Sequence, residues 1–357
     1  MNFEKFFRNK IVLITGHTGF KGSWLALWLT ELGANVIGYS LDPPTNPSLF
    51  QALNLKERIT HIIGDVRDEE KLKKVFKMYK PEFVFHLAAQ PLVRYSYIAP
   101  KYTYEVNVIG TVNLLEAVRE TDSVKVVIVV TSDKCYENKE WIYGYRETDP
   151  MGGYDPYSSS KGCVELVVSA YRRSYFDNLG IALSSVRAGN VIGGGDWQEY
   201  RLVPDCIRAL SKGEVIKIRN PNAIRPWQFV LEPLSGYLLL AKKMYEDRIK
   251  FNGAWNFGPS DNDILTVEEL TKRVVACWGG GTYEVERSSH IFHEANLLKL
   301  DCSKANYLLN WHSIYSIDEA IKNTVKWYKS YYEGSNQKEL FSLSVSQILE
   351  YQPKGGY

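Results

Sequence analysis

The chain has 357 residues, which is enough for one large domain or two closely packed domains at roughly 100 to 200 residues each. Lys and Arg total 43 against 41 for Asp and Glu, so the formal net charge is only +2, without blocks of like charge. This balance disfavours a role in binding nucleic acid or a membrane surface. With 45% hydrophobic and 13% aromatic residues, the composition predicts a folded protein.

Targeting segments and cysteine chemistry are also constrained by the sequence. The apolar stretches are far shorter than the roughly 18 residues of a membrane helix, and the charged N-terminus does not resemble a signal peptide. The five cysteines are scattered and never spaced as CxxC: Cys135, Cys163, Cys206, Cys277 and Cys302. We therefore expect neither a disulfide framework nor a zinc site, and a reducing cytoplasm as the compartment. The histidines show no ligand spacing, so no metal is predicted.

The first half of the chain alternates short β-branched runs with longer segments of helical period. This pattern predicts an α/β fold, a Rossmann-type doubly wound parallel sheet with helices on both faces. The predicted strands are 11–15, 35–39, 61–63, 83–87, 125–131 and 182–186, and the predicted helices are 24–32, 69–79, 102–120 and 157–175. The ligand crevice is expected at the carboxyl ends of the strands.

The regular alternation ends near residue 187. Glycines and prolines then interrupt mixed short elements, which predicts a smaller C-terminal lobe that binds the substrate. We accordingly expect a Rossmann domain over 1–187, a mixed α/β lobe over 188–334 and a polar, partly mobile tail over 335–357.

A glycine-rich turn follows the first predicted strand. Gly16, Gly19 and Gly22 have the spacing GxxGxxG, with Thr18 and Phe20 between them, and the helix begins at once. Glycines allow a tight turn and close approach to a pyrophosphate, whose charge the helix N-terminus stabilises. Glycines also form ordinary strand-to-helix turns, but the flanking strand and helix favour a dinucleotide site.

The residues expected around the adenosine are less typical. Ser40 stands at the end of the second strand, where an acid would hold the ribose, and Asp42 comes two residues later. No arginine follows closely to bind a 2′-phosphate, so NAD is preferred over NADP. Asp65, with Val66 beside it, is predicted to accept from the adenine amino group, although an Asp after a strand is about as often a helix cap.

A phenol and an ammonium group stand four residues apart at Tyr157 and Lys161, on one face of a predicted helix. A tyrosine titrates near pH ~10, but a neighbouring Lys favours the phenolate and makes a base near neutral pH plausible. This spacing alone is weak in a chain with 24 tyrosines. Its place downstream of a dinucleotide loop and of a Thr-Ser pair makes it a candidate catalytic pair.

Other candidate residues follow the fifth and sixth strands. Thr131, Ser132, Asp133 and Lys134 lie at the carboxyl end of the fifth strand, where hydroxyls beside an acid and a base suit proton transfer to a sugar. A capped loop with a solvated Lys explains the tetrapeptide equally well. In the second lobe, candidates to grip a diphosphate are Arg187, Arg201 and Arg225, together with Asn190.

Several of these strings together resemble the extended short-chain dehydrogenase/reductase family. They are the glycine loop, HLAAQ at 86–90, Asn107-x-x-Gly110-Thr111, Thr131-Ser132, Tyr157 with Lys161, Arg187-x-x-Asn190, and the C-terminal strings 301–311 and 324–328. The resemblance covers about residues 10 to 330. Within the family, the long strings at 16–24, 190–197 and 225–228 are most similar to the CDP-glucose 4,6-dehydratases.

The resemblance implies that NAD is the cofactor and that CDP-glucose is dehydrated to CDP-4-keto-6-deoxyglucose. Tyr157 would take the proton of the sugar 4-hydroxyl while hydride leaves C4, and Lys161 would hold the phenolate and the nicotinamide ribose. Asp133 would protonate the departing 6-hydroxyl, and hydride would return to C6. Such an acid must be sheltered from water. Lys134 would remove the C5 proton, but related dehydratases generally carry Glu at this position, so the identity of that base stays open.

The remaining site residues come from the same resemblance. For the cofactor they are Leu87, Ala88, Ala89, Asn107 and Thr131; for the substrate they are Gln90, Arg94, Ser96, Asn190, Arg201 and Arg225. The resemblance also implies a homodimer or homotetramer assembled through the helices predicted at 102–120 and 157–175, and a role in making a deoxyhexose for surface polysaccharide such as the O-antigen of lipopolysaccharide.

Other functions remain compatible with the sequence. The fold and the Tyr/Lys pair would serve a UDP-sugar 4-epimerase or a dehydratase of another nucleotide sugar equally well. A non-catalytic NAD-binding sensor is a further alternative from a different class. The retained pair Tyr157 and Lys161 argues against the sensor, and the Ser132, Asp133 and Lys134 series argues against both the sensor and a plain epimerase.

Overall fold

The computed structural model describes residues 3–260, 264–286 and 297–355. The strands are β1 Ile11–Thr15, β2 Asn35–Ser40, β3 Thr60–Ile63, β4 Phe83–His86, β5 Val126–Val130, β6 Ala182–Ala188, β7 Asn190–Ile192, β8 Ile216–Ile218, β9 Ile224–Phe229, β10 Gly253–Phe257, β11 Ile264–Thr266 and β12 Tyr283–Val285. The helices are α1 Phe3–Phe7, α2 Phe20–Glu31, α3 Leu49–Ala52, α4 Glu69–Tyr79, α5 Val93–Ile98, α6 Pro100–Tyr104, α7 Gly110–Arg119, α8 Pro156–Tyr171, α9 Asp177–Leu179, α10 Leu202–Lys212, α11 Leu231–Glu246, α12 Arg248–Phe251, α13 Val267–Trp278, α14 Ile317–Tyr332 and α15 Gln337–Gly355.

A parallel sheet of seven strands, in the order β10-β6-β5-β4-β1-β2-β3, forms the centre of the molecule. All six predicted strands are present in it, with ends within two residues of the predicted ones, so the doubly wound Rossmann-type fold is confirmed. The order reverses between β1 and β4, and in such sheets the ligand crevice lies beside this reversal.

Alternate residues of each strand enter two cores on opposite faces of the sheet. In β1, Val12 and Ile14 join the core that contains α2 and α11, whereas Leu13 joins the core formed with α4, α7 and α8. Strand side chains point alternately to the two faces, and a strand buried on both faces is therefore apolar throughout. This is why β5 reads Val-Val-Ile-Val-Val, with every residue buried.

The predicted helices are also present: α4 has the predicted ends, and the ends of the other three are shifted. The predicted helix 102–120 consists of α6, a π-helical turn at Glu105–Ile109 and α7. The predicted helix 157–175 consists of α8 and a second π-helical turn at Arg172–Phe176. Helix α2 begins at Phe20, directly after the glycine loop and four residues before the predicted start.

The C-terminal lobe is interleaved with the large sheet. It contains a sheet of order β11-β9-β7 and the pair β12-β8, flanked by α10 and α13. Strand β10, which follows this lobe's first elements, pairs in parallel with β6 and completes the large sheet, and α11 packs on β5 and β6. The large sheet therefore includes residues beyond 187. The two predicted regions, 1–187 and 188–334, do not simply follow one another along the chain.

The expected tail over 335–357 is wrong for the part that the structure describes. Helix α15 begins at Gln337 and buries Leu340, Ile348 and Tyr351, and the Tyr351 hydroxyl donates to the buried Glu232 carboxylate on α11. The polar composition was misleading because α15 packs along one side only, on which Ser344 and Gln347 are buried beside the apolar side chains. Within the described ranges, no helix is both long and apolar enough to cross a membrane.

Candidate active site

A cavity of about 830 Å³ runs along the carboxyl ends of the strands and into the C-terminal lobe. Most of the predicted site residues line it: Gly16, Thr18, Gly19, Phe20, Gly22, Ser40, Asp65, Val66, Leu87, Ala88, Ala89, Gln90, Arg94, Thr131, Ser132, Asp133, Lys134, Tyr157, Lys161, Asn190, Arg201 and Arg225. Its volume lies in the upper part of the range for small-molecule sites. Residues from both predicted regions thus converge on one cavity.

The glycine loop forms one end of the cavity. Gly16 has φ +76°, and a Cβ placed on it would lie 2.6 Å from the backbone nitrogen of Ala88. A Cβ on Gly22 would lie 2.1 Å from the carbonyl oxygen of Gly16. These are contacts that no larger residue tolerates, so the glycines keep the turn, β4 and the start of α2 packed against one another.

Replacing Gly22 by Ala is expected to abolish dinucleotide binding. The added methyl group must push the Gly16 turn away from the start of α2, which widens the loop that would surround a pyrophosphate. Titration with NAD, followed by protein fluorescence, measures the affinity. Gly213→Ala serves as a control for a glycine of positive φ because a Cβ there meets nothing within 4 Å. Unchanged NAD affinity in Gly22→Ala would contradict the assignment.

Hydrogen bonds fix the polar side chains near the ends of β2 and β3. The Thr18 and Ser40 hydroxyls are hydrogen-bonded at 2.9 Å, and Thr18 also donates to the carbonyl oxygen of Leu41. The Asp65 carboxylate accepts from the guanidinium and the backbone N–H of Arg67. The cap of α4 is Asp68, not Asp65, because it is the Asp68 carboxylate that accepts from the N–H of Lys71.

Tyr157 and Lys161 lie on α8, whose start is fixed by Asp155. The Asp155 carboxylate accepts from both the N–H and the hydroxyl of Ser158. The Lys161 ammonium donates to the carbonyl oxygen of Val130 at 3.2 Å, and both catalytic candidates are buried. The helix thereby places the phenol and the ammonium at the end of β5.

Burial dominates the titration of this pair. It raises the pKa of Tyr157 to about 12, although a hydrogen bond with Ser132 and the charge of Arg201 lower it in part. Burial, with the charge of Lys21, lowers the pKa of Lys161 to about 8. The expectation that Lys161 brings the pKa of Tyr157 towards neutrality is wrong, because the desolvation of a buried phenolate outweighs the neighbouring charges.

The segment Ser132 to Lys134 forms a short turn next to Tyr157. The Ser132 hydroxyl donates to the Asp133 carboxylate at 3.0 Å and accepts from the N–H of Lys134. Asp133 is only 4% exposed, and burial raises the pKa of its carboxyl against the opposing charges of Lys134 and Arg225. The prediction that Asp133 is sheltered from water is confirmed, whereas Lys134 is partly exposed.

The arginines predicted in the second lobe have different surroundings. Arg201 lies at the cavity, donates to Asp196 at 2.8 Å and is close enough to Tyr157 for their charges to interact. Arg225 also lines the cavity and lies near Asp133. Arg187 was predicted as a diphosphate ligand, which is wrong: its side chain is 3% exposed and forms an ion pair with Glu165 at 2.8 Å behind the cavity.

The Glu165 carboxylate connects the active-site segments. It accepts from Thr131 at the end of β5, from Ser185 on β6 and from Arg187, and it lies one helical turn beyond Lys161 on α8. Arg187 in turn donates to the Tyr136 hydroxyl. Burial alone would raise the pKa of Glu165, but the bonds from Arg187, Ser185 and Thr131 prevail and lower it.

Replacing Glu165 by Gln is expected to lower the free energy of unfolding by about 3–5 kcal/mol, because it leaves the Arg187 guanidinium buried without a charge partner. Since the pKa of Glu165 is lowered from 4.5, its contribution to stability is present above that value and is lost as the pH falls through the folded-state value. Urea unfolding at neutral and acidic pH measures both effects. The surface variant Glu246→Gln, whose carboxylate pairs with Lys242 and Lys243, should change the stability by under about 1 kcal/mol. Equal losses in the two variants would contradict this prediction.

Two predicted ligand contacts are not at the cavity surface in the described part of the chain. Asn107 is 1% exposed, and its amide binds the backbone of Gln90 and the Ser160 hydroxyl. Ser96 is fully buried and donates to the carbonyl oxygen of Val93. Asn107 therefore positions the loop after β4 against α8, and Ser96 stabilises its own helix turn. The fully buried His86, hydrogen-bonded to Thr15 and Thr111, holds β4 in a similar way.

Sequence reasoning did not single out Lys21 as a functional residue. Its side chain lines the cavity, where burial and the charge of Arg201 lower its pKa to about 8 while Asp133 opposes this shift. Its place inside the GxxGxxG spacing was the available signal, since Lys21 lies in the first turn of the helix that starts at the crevice. Several basic side chains of the cavity therefore surround the Asp133 carboxyl.

The sequence of this chain is similar to those of known sugar-nucleotide dehydratases. The family model described as GDP-mannose 4,6 dehydratase matches residues 13–324. The chain is 52% identical to a CDP-glucose 4,6-dehydratase of Salmonella typhimurium, over 98% of each chain. It is 25% identical to a dTDP-glucose 4,6-dehydratase of Haemophilus influenzae, over 89% of this chain and 97% of that one.

Solved structures with the same fold include nucleotide-sugar enzymes. A UDP-glucose 4-epimerase of Thermus thermophilus in complex with NAD has a TM-score of 0.77 at 24% identity, covering 91% of this chain and 99% of that one. A dTDP-glucose 4,6-dehydratase of Streptomyces venezuelae with NAD bound has a TM-score of 0.75 at 23% identity, covering 90% and 97%. These two likenesses establish the fold, and the sequence match establishes the kinship. The chain belongs to the GDP-mannose 4,6 dehydratase family.

Proposed function

We propose that the protein is an enzyme that dehydrates CDP-D-glucose to CDP-4-keto-6-deoxy-D-glucose and recycles NAD within each turnover. The main observation is that the buried acid Asp133 lies in the same cavity as Tyr157, Lys161 and Lys134. The identity of 52% to a CDP-glucose 4,6-dehydratase, over nearly all of both chains, supports CDP-glucose as the substrate. The cavity thus contains groups for an oxidation and for an elimination.

The glycine loop end of the cavity fits NAD. Side chains on Gly16 and Gly22 would collide with the backbone of Ala88 and of Gly16, so the glycines permit the tight turn that presents the start of α2 to a pyrophosphate. Ser40 offers a hydroxyl to the adenosine ribose in place of a carboxylate, and Asp65 offers an acceptor to the adenine. When bound, NAD supplies the acceptor for the hydride from C4 and its later donor to C6.

The first step assigned to the protein's own residues is removal of the 4-hydroxyl proton. Tyr157 accepts this proton as the phenolate, and the hydrogen bond with Ser132 together with the nearby Arg201 charge favours that phenolate by lowering the pKa of Tyr157 in part. Lys161 is held at the carbonyl oxygen of Val130, next to the end of β5, and adds positive charge on the same face of α8. Tyr157 must lose its own proton to solvent before this step, because only the phenolate can accept the proton of the 4-hydroxyl.

The second step is elimination of water between C5 and C6. The 4-keto group acidifies the C5 proton. Lys134, as the neutral amine that remains once it has lost its own proton, is the proposed base for this proton, while the carboxyl of Asp133 protonates the departing 6-hydroxyl. A carboxyl can act as an acid near neutral pH when its pKa is raised, and burial raises that of Asp133. An epimerase has no water to expel and does not need such an acid, which favours the dehydratase over a UDP-sugar 4-epimerase.

Assembly, compartment and pathway are parts of the same proposal. A homodimer or homotetramer is supported by the exposed apolar side chains Ile109, Leu166 and Tyr175, which lie on or next to α7 and α8. The five cysteines, none of them in a disulfide, support a reducing cytoplasm. The product is a precursor of a 6-deoxy or dideoxy hexose for surface polysaccharide such as the O-antigen.

The test is to incubate the purified protein with CDP-glucose and substoichiometric NAD, and to follow the nucleotide sugar by mass spectrometry. Loss of one water over many turnovers supports dehydration and internal hydride return together. An unchanged mass would contradict the proposal. Parallel incubations with UDP-, GDP- and dTDP-glucose distinguish a dehydratase of another nucleotide, and inertness towards all four would favour a non-catalytic NAD-binding protein.

A further inference from the structure

The wall of the cavity that the C-terminal lobe provides includes the first turn of α10 and β8, which pack against each other. Apolar side chains predominate among the cavity residues here, including Leu202, Pro204, Ile218 and Val267. Surroundings of this kind suit a flat heterocyclic ring. Asp205, on the first turn of α10, adds a carboxylate to these walls.

The Asp205 carboxylate is held in a defined orientation. It forms an ion pair with Arg208 one turn further along α10, and Arg208 donates to the carbonyl oxygen of Trp197 at 2.8 Å. The side chain of Asp205 is 31% exposed. Burial raises the pKa of its carboxyl, and the Arg208 charge opposes that shift. The backbone N–H of Tyr200 also donates to this carboxylate. Since a carboxylate has about four lone-pair positions, these two partners leave acceptor capacity for a ligand.

The spacing along α10 relates Asp205 to the catalytic centre. Arg201, at the N-terminal end of this helix, lies close enough to Tyr157 for their charges to interact. Asp205 follows one helical turn later, which corresponds to about 6 Å along the axis. A nucleotide sugar whose hexose is at Tyr157 and whose diphosphate is near Arg201 therefore extends its nucleoside towards Asp205.

We infer that Asp205 selects the pyrimidine base of the nucleotide sugar by accepting a hydrogen bond from an exocyclic amino group. This inference rests on the proposed function, because it places the nucleoside at the α10 end of the cavity. Cytosine carries an amino group at C4, whereas uracil and thymine carry a carbonyl oxygen there. An ionised carboxylate only accepts hydrogen bonds, so it binds the amino group and repels the carbonyl oxygen. Asp205 thus favours CDP-sugars through both attraction and repulsion.

The test compares the wild-type protein with Asp205→Asn on CDP-glucose and UDP-glucose. The amide can donate to the 4-oxygen of uracil, so the ratio of kcat/KM for CDP-glucose over UDP-glucose is expected to fall about 10- to 100-fold, mainly through KM. Inhibition constants of CDP and UDP should change in the same ratio, and they do not depend on turnover. Because each ratio is taken on one protein sample, partial misfolding does not alter it.

The control is Glu199→Gln, which removes a neighbouring carboxylate whose charge reaches Asp205 but which is itself exposed. Its ratios should equal those of the wild-type protein. Equal losses on both nucleotides in Asp205→Asn, or a similar change of ratio in Glu199→Gln, would overturn the inference. The proposed function fails separately, when the wild-type protein does not dehydrate CDP-glucose at all.

Discussion

Replacing Tyr157 by Phe is expected to abolish the reduction of bound NAD by CDP-glucose. The substitution keeps the ring and removes only the hydroxyl that accepts the 4-hydroxyl proton, so the loss falls on the first chemical step. General base catalysis contributes about 10²- to 10⁴-fold to rate, and we expect a loss of kcat at the upper end of that range. Absorbance of NADH in a single turnover, with enzyme in excess over substrate, measures this step directly.

A tyrosine outside the cavity provides the control for this variant. Tyr143 is 68% exposed on the loop that follows the turn Ser132 to Lys134, and Tyr143→Phe should reduce NAD at the wild-type rate. If Tyr157→Phe still formed NADH at a substantial rate, another group would have to take the proton. Unchanged affinity for CDP and NAD in Tyr157→Phe would show that the loss is chemical rather than structural.

Replacing Asp133 by Asn separates the two halves of the reaction. Oxidation at C4 depends on Tyr157 and remains possible, but an amide cannot protonate the departing 6-hydroxyl, so elimination should slow by about 10²-fold or more. Reduced cofactor and the oxidised hexose would then accumulate on the enzyme. Rapid mixing with CDP-glucose, followed by NADH absorbance and by mass spectrometry of quenched samples, distinguishes these species from the dehydrated product.

The matched control is Asp122→Asn, because Asp122 precedes the same strand at its amino end and is exposed. It should dehydrate the substrate as the wild-type protein does. Unimpaired dehydration by Asp133→Asn would remove the acid role from this residue. Failure to form NADH in Asp133→Asn would instead indicate that Asp133 is needed already for the oxidation.

The parts of the site that are formed by residues close together in the sequence could be predicted from it. The glycine loop is a local feature, because the positions of Gly16 and Gly22 follow from the strand and helix on either side of them. The carboxyl ends of parallel strands meet at one edge of a sheet, so the residues after β5 could be assigned to the same crevice as the loop. The shelter of Asp133 from water was predicted differently, from the acid role that the family resemblance implies.

Long-range pairing was not accessible to the same reasoning. Arg187 looked like an anion-binding residue because nothing in the sequence adjacent to it reveals Glu165, its partner from α8. The side chain of Asn107 likewise turns inward to Gln90 and Ser160, which lie far from it in sequence. The apolar side of α15 was hidden by its polar composition, and the pKa of Tyr157 depends on a degree of burial that only the packed structure determines.

Strand β10 has a consequence for how the protein is made. The strand that pairs with the free side of β6 is synthesised only after the first elements of the C-terminal lobe, and α11, which covers β5 and β6, also comes late. While the chain is still on the ribosome, the edge of β6 therefore stays open, and an open edge invites pairing with other chains. A fragment that ends at residue 187 would lack both β10 and α11, so we expect that the half with the glycine loop does not fold as an independent module.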